Sequence, residues 1–265
     1  MAIICFVSCE TKPGEYTSNT ESDTDIFGNQ VDTNSIRDAY LMDSSDLFIK
    51  DFFHEHLKKT LFIDNQEQYT FNLYKEHLNN DTIEDAIITL NRLALAKAKA
   101  KESGKPWKDE EIGFMGPYNA FFYFDGKTNM ISPPIIVYSS PLVDLKVSFD
   151  NITSIDYKDI LIDYRIRNSS YKDVYFLINN FPELVFEWKI FDGLGTSNEE
   201  AYSFSFKSDK GKTIKNILIT ESTIGSIPKN SNLFTYQPKL IQTNKKVKEF
   251  FYLESKRKYF TLNED

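Results

Sequence analysis

Three histidines, two cysteines and two tryptophans are the scarce chemistry-bearing side chains of this 265-residue chain. His54-Glu55-His56 sets two imidazoles and a carboxylate side by side in sequence. On a helix, residues two apart point about 200° away from each other, so the two rings cannot grip one ion; zinc-binding helices space their histidines four apart. The trio reads as polar residues flanking a helical turn. Serines are numerous, but no G-x-S-x-G elbow holds one as a nucleophile. Both cysteines, Cys5 and Cys9, fall in the first nine residues, so the body has no thiol nucleophile, disulfide framework or cysteine-based zinc site. Asp156/Asp159 and Glu110/Glu111 have the residue types of a general acid and base, yet spacing alone does not separate a glycosidase pair from solvated surface. No catalytic residue is nominated. Trp107, in the polar stretch GKPWKDEE, is the better ligand-contact candidate of the two indoles; Trp188 alternates with Phe186 and Ile190 and reads as core.

Composition narrows the partners. The net charge of −8 repels nucleic acid, so no nucleic-acid partner is expected. Lys245, Lys246 and Lys248 near the carboxyl end read as charges on an edge strand that deter aggregation. No run of about 18 apolar residues could form a spanning helix. The exception to an ordinary globular pattern is the amino end. Ile3 to Val7 are apolar, Ser8 is small, and Cys9 follows. The next stretch, 10–36, is rich in Ser, Thr, Asn, Asp and Glu, with one lysine against six acids; it cannot bury enough apolar surface to offset its ordering entropy and reads as a flexible tether.

That sequence of features resembles the processed end of bacterial lipoproteins, with FVSC (Phe6 to Cys9) as the lipobox. The resemblance implies a residual leader over 1–8, cleavage before Cys9, lipid on its thiol, a tether over 9–36, and a Gram-negative outer-membrane address. It also implies a basic, longer leader upstream of Met1. Several acyl chains on one cysteine are enough for a durable anchor.

The elements behind these residues are mostly strands. The many aromatics, 22 Phe and 15 Tyr, sit beside Ile, Val and Thr, which favours β structure. The exceptions are two predicted helices. Ser44 and Ser45 can cap a helix over 45–59, with Leu47, Phe48, Phe52 and Leu57 near helical spacing and Lys58 and Lys59 in its last turn. RLALAKAKAKESG, 92–104, is rich in helix formers, has no wide apolar stripe, and should lie on the surface until Gly104 and Pro106 stop it. Hairpins are expected around Asp125-Gly126, around Asn168 to Ser170 and near Asp209 to Gly211. The run IGFMGPYNAFFYF, 112–124, would close one end of the core with Phe114 and Met115 buried; exposed, those two would form a partner-binding patch. Residues 37–265 are expected to form one mainly-β domain with minor helix, built of blade-like antiparallel sheets or as a β-sandwich.

Three short runs look alike: Asp85-Ala-Ile-Ile-Thr, Asp159-Ile-Leu-Ile-Asp and Asn216-Ile-Leu-Ile-Thr, spaced 74 and 57 residues apart. The first, preceded by HLNNDTIED and followed by a strand ending in YFDGKTN, resembles FG-GAP or VCBS-type repeats. The resemblance implies a calcium loop with Asn79, Asp81 and Asp85 as side-chain ligands and the carbonyl of Ile83 between them. Here His77 stands at the family's first Asp and Thr82 at its glycine, so the residues themselves favour a hydrogen-bonded structural loop, with calcium as the alternative. Asn151, Thr153 and Ile155 hold the matching positions in the second unit, which should bind no metal. The function expected is a non-catalytic, membrane-anchored binding or scaffold role with a protein or glycan partner. The alternatives are a secreted hydrolase with an unrecognised carboxylate pair, and a calcium-dependent carbohydrate-binding or adhesion module.

Overall fold

The computed structural model describes residues 44–261, apart from 65, 107, 109 and 110. Cys9, the tether, its boundary at residue 37 and Trp107 lie outside the described residues. The chain divides into two compact units, Met1–Phe52 and Phe53–Asp265. Helix α1 (Ser44–Thr60) begins in the first and ends in the second. Its buried stripe is Ile49, Phe53 and Leu57, one residue every four, and Phe52 is left exposed.

The second unit holds three four-stranded antiparallel meanders. The first is β1 (Thr70–Glu76), β2 (Asp85–Asn91), β3 (Asn119–Asp125) and a last strand in two pieces, β4 (Met130–Ile131) and β5 (Ile135–Val137). Pro133 and Pro134 stand between the pieces, where a missing N–H and fixed φ break the ladder. The second is β6 (Lys146–Asp150), β7 (Asp159–Ile166), β8 (Ser169–Ile178) and β9 (Phe181–Asp192). The third is β10 (Glu200–Lys207), β11 (Asn216–Ile224), β12 (Leu240–Leu253) and β13 (Lys258–Phe260). Two residue pairs, Glu200 with Asp192 and Ala201 with Phe191, join the second and third meanders into one eight-stranded sheet.

The meanders stack as layers, and the alternation of side chains along each strand decides which layer is met. Ile160, Ile162 and Tyr175 of the second meander face Ile87, Phe121 and Val137 of the first. Leu161, Val174, Phe176 and Phe186 point the other way, onto Ile217, Ile219 and Phe250 of the third. The middle layer is thus apolar on both faces, which is why its strands read as continuous runs such as ILI. The first meander has the same character: every residue of β2 and β3 is buried. Its outer face meets the second half of α1, where the Phe53 ring lies 5.0 Å from Phe122 and 5.6 Å from Phe71. Among the described residues the architecture is therefore mainly β, with two minor α-helices and antiparallel meanders stacked as layers.

Several details depart from the sequence pattern. The alternation expected along β9 is broken by bulges opposite Ser170/Tyr171 and Val174/Tyr175. Each bulge shifts the pleat by one residue, so neighbours Val185 and Phe186, and again Ile190 and Phe191, are all buried. Helix α2 (Leu93–Glu102) buries only Ala96 and ends at Gly104, whose φ of +62° suits a residue without Cβ. Met115 is 54% exposed, not buried as the apolar run suggested, and Phe114 is half-buried beneath the Arg167 guanidinium at 4.0 Å. Gly113 and Gly116 bring the backbone against the Tyr118 ring there, and a loop so tightly turned leaves the Met115 side chain outside. The β8–β9 turn is Asn179-Asn180, both left-handed, matching the twist of the hairpin.

Phe186 sits at the seam of the second and third layers, 4.9 Å from the Phe250 ring and 5.8 Å from Tyr259. Phe186→Ala should cost about 3–5 kcal/mol through the cavity it leaves. Urea unfolding monitored by near- and far-ultraviolet circular dichroism reads the loss.

Candidate functional site

Each meander passes from its first to its second strand through eight residues: 77–84, 151–158 and 208–215. The side chain that opens the second strand closes that loop. Asp85, fully buried, accepts the Leu78 N–H at 3.2 Å through Oδ2 and the Gly126 N–H at 3.1 Å through Oδ1. One carboxylate therefore ties the loop to the turn after β3. The approach is close enough that a Cβ on Gly126 would lie 2.0 Å from the Glu84 carbonyl oxygen. Asp159 repeats the arrangement, accepting the Ile152 and Thr153 N–H groups at 2.9 and 2.7 Å and the Thr153 hydroxyl at 2.9 Å. In the third meander the roles invert: Asn216 donates its amide to Asp209 Oδ2 at 2.9 Å. The loops are also joined to one another. Lys158 N–H donates to the His77 carbonyl, and Lys215 N–H to that of Ile152.

This geometry places the residues that the repeat resemblance assigned to calcium. Asn79 Oδ1 accepts the Asp81 N–H at 2.9 Å, and Asp81 Oδ1 accepts the Ile83 N–H at 2.8 Å. Both oxygens of Asp85 hold amides, and Ile83 is exposed. Asn79 donates to the Tyr123 hydroxyl at 3.1 Å. The loop is built as successive Asx turns on a buried acid. Among the described residues no three His, Cys, Asp or Glu side chains converge as metal ligands.

The other candidates separate. Asp156 is exposed while Asp159 is buried, so they are not a working pair. Glu111 pairs with Arg167 at 3.5 Å. His54 Nδ1 lies 2.5 Å from the Tyr69 hydroxyl, whereas His56 sets its ring edge-on to Phe122 at 6.0 Å. Trp188 packs, half-buried, on Phe186 and Phe250 at the seam of the second and third layers.

Two buried ionisable groups escaped the sequence reading. Asp173, 4% exposed, stands directly across from Glu187 in the β8–β9 ladder. It accepts the Tyr175 hydroxyl at 2.9 Å, Tyr164 donates to Glu187 at 3.3 Å, and Asp173 Oδ1 has no partner. Arg165, 2% exposed, lies between the second and third layers. In sequence each is one of several charges on its strand, Arg165 with Asp159 and Asp163 on β7 and Asp173 beside Lys172 on β8, so nothing local sets it apart.

Opposite the loops, the other ends of the strands carry the long connections. Asn91 ends β2 and holds the 138–145 connection through the Pro141 carbonyl at 2.8 Å and Asp144 at 2.6 Å. Beside it opens a recess of about 540 Å³ lined by Tyr69, Asn91, Leu93, Lys97, Pro141 and Asp144. Its size suits a small ligand, and it mixes apolar side chains with hydrogen-bonding groups of both charges. Comparison with protein-family models, curated proteins and solved structures finds no match to this chain.

Three of the buried aspartates, Asp85, Asp159 and Asp173, set the pH response. Burial is the main cause in each case. It pushes Asp85 and Asp159 up to about 6 against the hydrogen bonds they accept, and Asp173 up to about 7, with the Glu187 charge adding to the rise. An unfolded aspartate titrates near 3.9. Between those values the folded chain holds protons the unfolded chain has released, so their stabilisation is full below about pH 4 and is lost as pH rises through 6 to 7. The melting temperature should be higher at pH 5 than at pH 8. Asp173→Asn should flatten that slope. A melting temperature that climbs steadily from pH 5 to 8 would show the acids ionised in the fold.

Proposed function

We propose that the chain is a non-catalytic binding or scaffold module of the cell envelope, held to the outer membrane by lipid on Cys9. The observation that carries this reading is the apolar stretch ending in Phe6-Val7-Ser8-Cys9, followed at once by an acidic, polar segment. The architecture supports the binding half. The buried aspartates of the first two meanders serve as acceptors for loop amides, which makes the layers a rigid frame. Frames of this kind position recesses and connections for a partner, and the recess beside Tyr69 and Asn91 is the candidate contact for a protein or glycan. Trp107 is a further candidate contact, proposed on its polar sequence surroundings. The three meanders with equal eight-residue loops support reading the body as degenerate FG-GAP-like blades.

A secreted hydrolase fits less well. Of the cross-strand acid pairs, Asp173 with Glu187 has Asp173 buried under Tyr175, whose ring packs 5.0 Å from Phe121 of the first meander; Asp85 and Asp159, opposite Glu76 and Asp150, hold loop amides; and Asp192 and Glu200 share Lys189. A calcium-dependent adhesion module fits less well because the oxygens it needs accept backbone amides.

Metabolic labelling with a palmitate analogue tests the anchor. The wild-type chain expressed in a Gram-negative host from its own upstream reading frame should carry label and fractionate with membranes. Cys9→Ala should lose both. Equal labelling of the two would refute the lipid assignment.

A further inference from the structure

Arg165 presents a buried cation without a counter-charge. Its guanidinium is 2% exposed, and its Nε and Nη1 have no hydrogen-bond partner. Nη2 donates to the Leu233 carbonyl at 2.5 Å, and the group lies 4.6 Å from the Phe191 ring centroid. Burial pushes its pKa down to about 10, which still leaves it charged at neutral pH. Asp163 shares its face of β7 two residues earlier, but is taken by an ion pair with Lys172. An isolated buried charge is expensive, and native proteins keep such groups paired or liganded.

A long connection covers Arg165. The second meander joins its second and third strands by two residues, Arg167 and Asn168. The third meander uses fifteen at the same point, 225–239, without helix or strand. The ends of this loop are clipped together by the Gly225 N–H on the Lys239 carbonyl at 2.8 Å. It is an Ω-loop, a class that is often functional. Ile227, Leu233 and Tyr236 of the loop pack on the cluster of Ile190, Phe191, Leu194 and Ala201. Leu233 also closes against Gly195, where an added Cβ would meet Leu233 Cδ1 at 2.7 Å. Lys229 and Lys239, both exposed, add positive charge to the loop.

We propose that Arg165 is an oxyanion-binding site covered by the 225–239 loop. The ligand is a carboxylate or phosphate group that accepts the unpartnered Nε–H and Nη1–H, and the loop must lift to admit it. The guanidinium matches such groups because its planar donors point in fixed directions. This assignment is independent of the lipid anchor, so either can fail without the other.

The test is a titration of the full chain with inorganic phosphate and, separately, with acetate, at constant ionic strength held by chloride. In the wild type one of the two anions should raise the melting temperature saturably, by about 2–4 °C for each kcal/mol of linked binding. Arg165→Met, which keeps the bulk and removes the charge, should not respond. The Arg165 Nε–Hε signal in a nitrogen-15 spectrum of the wild type should move along the same curve, which keeps the test sound if the variant fails to fold. The two arms distinguish the phosphate from the carboxylate source. No saturable response to either anion, or an equal response in Arg165→Met, would overturn the site and leave Arg165 as a latch for the loop.

Discussion

A carboxylate buried at the head of a strand, accepting backbone N–H groups from the loop seven residues earlier, is the constraint on which this architecture depends. Leu78 and Ile152 are the buried residues of the first two loops, and a buried amide left unpaired costs about 1–3 kcal/mol. A short acidic side chain answers several at once. Asp85 satisfies Leu78 and Gly126, and Asp159 satisfies Ile152 and Thr153. Asparagine supplies one oxygen and two donors instead. At the third position Asn216, itself buried, accordingly donates to an acid in its own loop, Asp209, rather than gathering amides.

From that interaction the layering follows. Each clamped loop presents a free carbonyl to the next layer, His77 to Lys158 and Ile152 to Lys215. The middle meander can then bury both faces, through Ile160 and Ile162 on one side and Leu161 and Phe176 on the other. Stacked units of this kind are stabilised by their neighbours rather than singly, and the terminal faces need cover. On the first meander, Phe53 and Leu57 of α1 are completely buried, and the Phe53 ring meets Phe71 and Phe122. With the frame fixed at the loop end, the opposite end is free to vary. It carries α2 on the first meander, a two-residue turn on the second and the Ω-loop on the third. Variable connections on a rigid scaffold are where recognition is generally found.

Much of this was legible in the residues. The three apolar triplets, each headed by Asp or Asn, marked the second strand of every meander, because strands buried on both faces need continuous apolar runs. Gly104 ended α2 where its left-handed φ requires. Other features were not legible. The bulges of β9 move Val185 and Ile190 off the expected face, and nothing local announces an extra residue in a strand. Which residues of the second half of α1 are buried depends on the side that meets a sheet, and Phe53 joins Leu57 there. The loop 77–84 carries oxygens at alternate positions, a pattern shared by calcium sites and Asx turns; only the three-dimensional partners show amides. Asp173 and Arg165 are buried by contacts far away in sequence, so their local context looks like any amphipathic strand.

Amide hydrogen exchange tests the clamp most directly. The Leu78, Ile152 and Thr153 N–H groups lie in irregular segments, yet the account requires them to exchange only when the layers open, as slowly as the neighbouring amides of β2 and β7. Exchange at those three sites as fast as in exposed loops, while the strands stay protected, would contradict it.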